Sequence, residues 1–227
     1  MSTPLAYSIF HDIIFPKSDG ADVAGSEHLK LRKTVRHNVR SRAIVSDLSL
    51  VVFDFETTGL DDVQDRIIEI GAQKIVSQEV VSEFSVLINP GMPLPAEVER
   101  ITGITDDMLV GKPSIAEVLP DFLKFIEGHI LVAHNAAFDM GFLRNSCSGI
   151  GVDVDWPSFC TLKMARELLP GLERKNLDTL AEYYGLQFEA RHRSIGDVKV
   201  TVEVLHNMLQ NEGQHIRCWE DLSPFCV

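Results

Sequence analysis

The chain has 227 residues, 45% of them apolar and 24% charged, with a formal charge of −12. That composition is globular and excludes wholesale disorder. The net charge argues against a protein that grips nucleic acid through a broad basic face. The charge is uneven, however: residues 30–42 (KLRKTVRHNVRSR) hold six Lys/Arg and no acid, and the acidity sits in the body behind them.

Residues 1–47 read as an N-terminal extension. Thr3-Pro4 opens a short helix whose apolar residues Leu5, Ala6, Ile9, Phe10, Ile13 and Ile14 share one face until Pro16 ends it. A linker (SDGADVAGSE) follows, then the basic segment, which is either a solvated helix face or a contact to nucleic-acid backbone. A different pattern begins at residue 48. Leu48–Phe55 predicts a buried strand, and Arg66–Ser77 and Val80–Asn89 predict two more joined by a short turn, hence antiparallel. Helices are predicted near 95–101, 114–127, 136–148, 161–169, 176–184 and 196–211, with strands at His129–Ala133 and near 158–160. Strands followed by strand–helix alternation imply an α/β domain over 48–212, a mixed sheet of about five strands flanked by helices. Residues 213–227 form a tail without clear periodicity.

The four cysteines show no metal-ligand spacing and no disulfide framework, which predicts reduced thiols and a cytoplasmic protein. No stretch has the length and apolarity of a membrane span or a secretory leader.

Three segments carry chemistry. Asp54 and Glu56 end an apolar strand at i and i+2, so both carboxylates face one way. Two adjacent carboxylates repel unless something positive neutralises them, and oxygen ligands favour Mg²⁺ or Mn²⁺. A strand end turning polar at solvent is the alternative. Next, the strand Val132-Ala133 leads through His134-Asn135 into a helix with Asp139 in its first turn, where an acid also complements the helix dipole. Finally, Arg191-His192-Arg193-Ser194-Ile195-Gly196-Asp197 places a histidine, suited to general-base work, five residues before an acid that opens the last helix. Each alone also has a plain structural reading.

In order, D-x-E, D and H-x₄-D resemble the DEDDh 3′→5′ exonuclease family, and the flanks agree: FDFETTGL at 53–60, AHNAAFD at 133–139 and HRSIGD at 192–197. ITGITDDML (101–109) and the helical stretch 161–186 also have counterparts in the family, so the resemblance covers about residues 48–210. The flanking sequence looks most like the proofreading part of bacterial replicative DNA polymerases.

The resemblance implies a ribonuclease H-like fold in which Asp54, Glu56, Asp139 and Asp197 hold two divalent cations, Mg²⁺ or Mn²⁺, and His192 is the general base. Thr57, Thr58, Gly59, Leu60, Asn135 and Phe138 would bind the terminal nucleotides. The implied reaction releases nucleoside 5′-monophosphates from single-stranded or frayed DNA 3′ ends, in proofreading or repair. The partner would be a DNA polymerase or another replication or repair protein. The rivals are an RNA 3′-end exonuclease similar to ribonuclease T or oligoribonuclease, and a polymerase-associated interaction module. Thr102 is a departure, since many proofreading relatives carry histidine there. Arg174, Lys175, Arg191, Arg193 and Lys199 either hold a phosphate backbone or pair with nearby acids. His129, His134 and His206 read as structural or surface residues.

Overall fold

A computed structural model describes residues 33–36, 39 and 41–227. The expected helix within 1–16, the linker and much of the basic segment lie outside the described residues.

Two sheets are present among the described residues. The larger has five strands: β2 (Leu50–Thr57), β3 (Ile67–Val76), β4 (Glu79–Leu87), β5 (Ile130–Ala133) and β7 (Ser158–Cys160), in the spatial order β4-β3-β2-β5-β7. β2 and β4 flank β3 antiparallel, while β5 and β7 continue from β2 in parallel. This is the expected mixed α/β sheet. The expected strands are found within two residues of their ends.

β1 (Lys33–Arg36) pairs in parallel with β6 (Val152–Asp155) as a second, two-stranded sheet. Four-residue segments such as V-D-V-D are too short for a period of two to stand out, so neither strand was foreseen. Over 33–36 the basic segment is therefore strand rather than helix.

Helices cover both faces of the five-stranded sheet. They are α1 (Ala96–Thr102), α2 (Asp106–Leu109), α3 (Ile115–Ile126), α4 (Ala136–Gly149), α5 (Thr161–Leu168), α6 (Leu177–Tyr184) and α7 (Ser194–Asn211). The alternation along β2 divides the core. Val51, Phe53 and Phe55 pack with Phe122 of α3 and Met140 of α4, where Phe53, Phe55 and Phe122 form an edge-to-face cluster. Leu50 and Val52 point the other way, into a core with Met164, Leu180, Val198 and Leu205 from α5, α6 and α7. Asp54 and Glu56 continue this second row, so the strand's period of two aims both acids at the face that α7 covers.

Two helix starts are built by side chains. Ser114 and Glu117 form a reciprocal capping box at α3, and Asn176 Oδ1 accepts from Thr179 N–H at α6. The segment after α7, which lacks periodicity in the sequence, is packed against the domain. Trp219 N–H donates to Ala43 O, Val227 N–H donates to Ser158 O, and Leu222 and Phe225 are buried in the second core. All four cysteines are free thiols, and no helix among the described residues is long and apolar enough to cross a membrane.

The start of α7 lies hard against β3 at Gly71, where an added Cβ would sit 2.5 Å from the backbone of Ser194 and Ile195. Glycine is needed there for close approach rather than for backbone freedom. Gly71→Val should lower unfolding stability by about 1–3 kcal/mol, read from the denaturant midpoint. Gly149→Ala, which meets open space at the end of α4, should be neutral or stabilising by up to about 1 kcal/mol.

Candidate active site

The C-terminal end of β2, the start of α4 and the start of α7 converge. Carboxylate oxygens of Asp54, Glu56 and Asp197 all lie within 4.8 Å of one another. Asp139 joins them from α4. It is 2% exposed, its Oδ1 accepts the Phe55 backbone N–H at 3.1 Å, and its charge acts on Asp54. The four expected acids are thus assembled from residues 54 to 197 of the chain.

Burial pushes all four carboxyls up, and repulsion within the cluster adds to this at Asp54 and Glu56. Asp54 is raised by burial, then by Asp139, Glu56 and Asp197, with Arg191 opposing. Glu56 is raised to about 8 by burial, then by the charges of Asp197 and Glu69. Asp139 is raised by burial against the lowering effect of the Phe55 N–H. Asp197 is raised to about 6 by burial, with the Arg191 guanidinium and the His192 backbone N–H pulling it down. Protonation is one way to relieve such a cluster and a bound cation is another.

The donor set fits a divalent cation. It consists of carboxylate oxygens alone, and Asp197 Oδ1 is buried without a hydrogen-bond partner.

Two arginines hold the third segment in place. Arg193 makes a two-pronged ion pair with Glu69, whose Oε2 also accepts the Ser194 N–H at 2.8 Å. Glu69 is 1% exposed and lies opposite Glu56 in the β2–β3 register. The clamp therefore ties the start of α7 to the strand beside the acids. Arg191 bonds Asp197 and grips Asp178 of α6 through Nε and Nη2 at 2.6 and 2.9 Å. Lys199 pairs with Glu189. For these three basic residues the pairing alternative holds.

Glu69, Asp178 and Ser194 were not foreseen as parts of the site. Glu69 does carry a signal, as a lone charge inside the apolar run Ile67-Ile68-Glu69-Ile70.

His192 occupies the left-handed region at φ 58°, on the loop between α6 and α7. Its ring is half-buried, and burial and the Arg191 charge push its pKa down, with Asp178 opposing.

In the loop after Glu56, Thr57 Oγ1 donates to Gly59 O. Thr58 is buried and its hydroxyl bonds Asp65 and Arg66 N–H, so it shapes the loop. The Asp65 carboxylate fills the space a Cβ at Gly59 would take. Leu60 is 87% exposed, which excludes core packing for it. Phe138 is half-buried against Phe142, 4.9 Å between ring centroids, and Asn135 is exposed at φ 70°. Thr102 is engaged at the end of α1, donating to Val98 O and accepting from Ile104 N–H. His134 bonds Thr161 through Nδ1, and burial pushes it down to about 4.

Residues 51–205 match the exonuclease family RNase_T. The chain belongs to this exonuclease family. A 160-residue stretch is 42% identical to DNA polymerase III PolC-type of Caldanaerobacter subterraneus, covering 70% of this chain and 11% of that protein. DNA polymerase III subunit epsilon of Aquifex aeolicus is 35% identical over 179 residues, covering 78% of this chain and 89% of that one. The chain thus spans about a ninth of the PolC length and nearly the whole length of the epsilon subunit. Among solved structures, exonuclease X in complex with 5′-overhanging duplex DNA superposes with a TM-score of 0.61 at 28% identity, covering 72% of this chain and 93% of that one. Exonuclease I gives 0.67 at 19% identity, covering 74% and 42%, which is likeness of fold. The fold is ribonuclease H-like and the enzyme is an exonuclease.

The raised carboxyls fix a sign. Each has a folded pKa above its unfolded value near 4, so the stability it adds is complete below about pH 4 and lost as pH rises through the folded value, which is about 6 for Asp197, about 7 for Asp139 and about 8 for Glu56. In EDTA, the melting temperature should fall between pH 5 and 8.5. Millimolar Mg²⁺ or Mn²⁺ should cancel that fall, and Asp54→Asn should flatten it. A melting temperature constant across this window in EDTA would contradict the clustering.

Proposed function

We propose that this exonuclease works in the 3′→5′ direction and releases nucleoside 5′-monophosphates, one at a time, from single-stranded or frayed DNA ends. The convergence of Asp54, Glu56, Asp139 and Asp197 at the end of one strand carries this reading. Those four side chains would hold two divalent cations, Mg²⁺ or Mn²⁺. Four negative charges match two such ions. The chemistry such ions would supply there is Lewis acidity, which would lower the pKa of a water and stabilise negative charge on a departing oxygen.

The chain's own groups do the rest. His192 takes the proton that the attacking water loses, at a ring nitrogen. Its lowered pKa keeps the ring neutral and able to accept at neutral pH. The loop that carries it ends at the Glu69–Arg193 clamp, so the base can adjust while Asp197 stays in place. Thr57, Thr58 and Gly59 shape the loop that meets the terminal nucleotide. Exposed Leu60 offers an apolar surface to a base or sugar, and Asn135 and Phe138 approach from the start of α4.

DNA is preferred to RNA as substrate because the relatives at 42% and 35% identity are DNA polymerase III proteins. The same relatives support a DNA polymerase as partner, proofreading as the role, and the cytoplasm as the location. RNA-directed cleavage and a mainly interactive role are the outcomes that would displace this reading.

Labelled single-stranded DNA, mismatched duplex and RNA of equal length, incubated with Mg²⁺, Mn²⁺ or EDTA, test it. Metal-dependent cleavage should be fastest on DNA with a free or mismatched 3′ end. Equal rates on RNA would move the substrate class, and no cleavage would favour the interaction module. Asp54→Ala should lower turnover by several orders of magnitude while the fold is kept. His192→Ala should cost roughly 10²–10⁴-fold near neutral pH and recover part of the loss at higher pH. A pH–rate profile identical to the parent's would remove His192 from the base role.

A further inference from the structure

The cations near the site divide sharply. Of the basic residues between 163 and 199, Arg191, Arg193 and Lys199 are bound to acids. Lys163 and Lys175 donate to the backbone carbonyls of Cys226 and Leu172. Arg166 and Arg174 are exposed and have neither kind of partner. Both line one open cavity of about 730 Å³, together with Asn135, Lys175, Asn176 and the single acid Glu173.

That cavity adjoins the carboxylates by construction. In the β2–β5 register Val52 lies opposite Val132. Two residues further along these parallel strands come Asp54 on one and His134, a wall of the cavity, on the other. Asn135 leads directly into the first turn of α4, which carries Asp139. On the far side, Asn176 caps α6, and Asp178 in that helix's first turn grips the arginine bonded to Asp197.

The cavity's groups suit an oxyanion. Asn176 uses its Oδ1 on Thr179, which leaves its NH₂ as a donor. The Asn135 side chain makes no capping bond and is free to donate. Two guanidiniums, one ammonium and one carboxylate sum to an excess of two positive charges, in a chain whose net charge is −12. Guanidinium forks match phosphate oxygens, and leaving two without acids in so acidic a protein suits a polyanion that arrives from outside.

We propose that this cavity is a phosphodiester subsite: Arg166 and Arg174 hold a backbone phosphate of the same DNA strand whose 3′ end lies on the carboxylates. This rests on the nuclease reading above and extends it. The subsite grips the strand away from the scissile bond, where no cation bridge is needed, and it places substrate affinity in Arg166 and Arg174 rather than in the catalytic acids.

The test compares two probes in the full-length enzyme. One is a single-stranded oligodeoxynucleotide. The other is the p-nitrophenyl ester of thymidine 5′-monophosphate, which has one phosphodiester and none upstream. In Arg166→Gln/Arg174→Gln, the oligonucleotide-to-ester ratio of kcat/KM should fall about tenfold, mainly through KM on the oligonucleotide. Binding of a fluorescent oligonucleotide by the same variant in Ca²⁺, followed by anisotropy, should show a slope of log K against log [salt] shallower by about 0.7 per lost phosphate contact. Arg166→Lys/Arg174→Lys should restore most of the slope, since the charge is kept. An unchanged ratio with an unchanged slope overturns the subsite. So does an equal loss on both probes, which would assign the arginines to the product phosphate or to folding. Hydrolysis of both probes by the parent reports separately on the catalytic reading. If the parent hydrolyses neither, that reading fails, and the salt slope still decides the subsite.

Discussion

Like charges resist being gathered, and this protein gathers four carboxylates at the end of an apolar strand. Every member is shifted upward by burial, and at Asp54 and Glu56 the charges of the other acids add to it. Around the cluster, the fold supplies the restraint such an arrangement needs. Buried Glu69 and half-buried Arg193 form a clamp that fixes the first turn of α7. Arg191, itself held by Asp178, places a positive charge against Asp197. Gly71 lets the helix approach the sheet closely enough for Asp197 to reach Asp54 and Glu56. Packing energy from two apolar cores thus holds a polar site that would disperse if its elements were free.

The same electrostatics resolve how an acidic chain handles a polyanion. At the carboxylates, the proposed contact with phosphate would run through cations that the acids recruit. Beside them, two arginines form no ion pair, while the basic residues at 191, 193 and 199 are committed to internal pairs. On the proposed reading, charge is sorted by function within the stretch from residue 166 to residue 199. Some arginines build the site, and others face outward from it. Net charge misleads as a guide to nucleic-acid contact because it sums over both groups.

Much of the architecture was legible from pattern. In the strand Leu50–Thr57 the run Phe53-Asp54-Phe55-Glu56 marks two faces, and the helices expected near 114–127 and 176–184 are found at Ile115–Ile126 and Leu177–Tyr184. What pattern did not reveal has a common physical cause, which is pairing between distant segments. The strands at Lys33–Arg36 and Val152–Asp155 are too short to be periodic, and they exist because each has the other. The segment after residue 212 reads as irregular, yet Leu222 and Phe225 are buried through contacts that reach residues 43 and 158. Arg191, Arg193 and Lys199 were open between substrate and acid, since composition cannot say which acid lies within reach.

The sequence by itself determined the chemistry available here. The i, i+2 spacing of Asp54 and Glu56 puts both acids on one face of a strand, and the ordered motifs at 53–60, 133–139 and 192–197 identify the family. Tertiary structure decided which groups meet. It brought Asp197 within 4.8 Å of Asp54 and Glu56 and bonded Asp139 to the Phe55 N–H. It also turned Glu69 from a strand residue into the anchor of the third motif. The reason is that spacing along a chain constrains neighbours within one element, whereas contacts between elements depend on sheet order, helix packing and the close approaches that residues such as Gly71 permit.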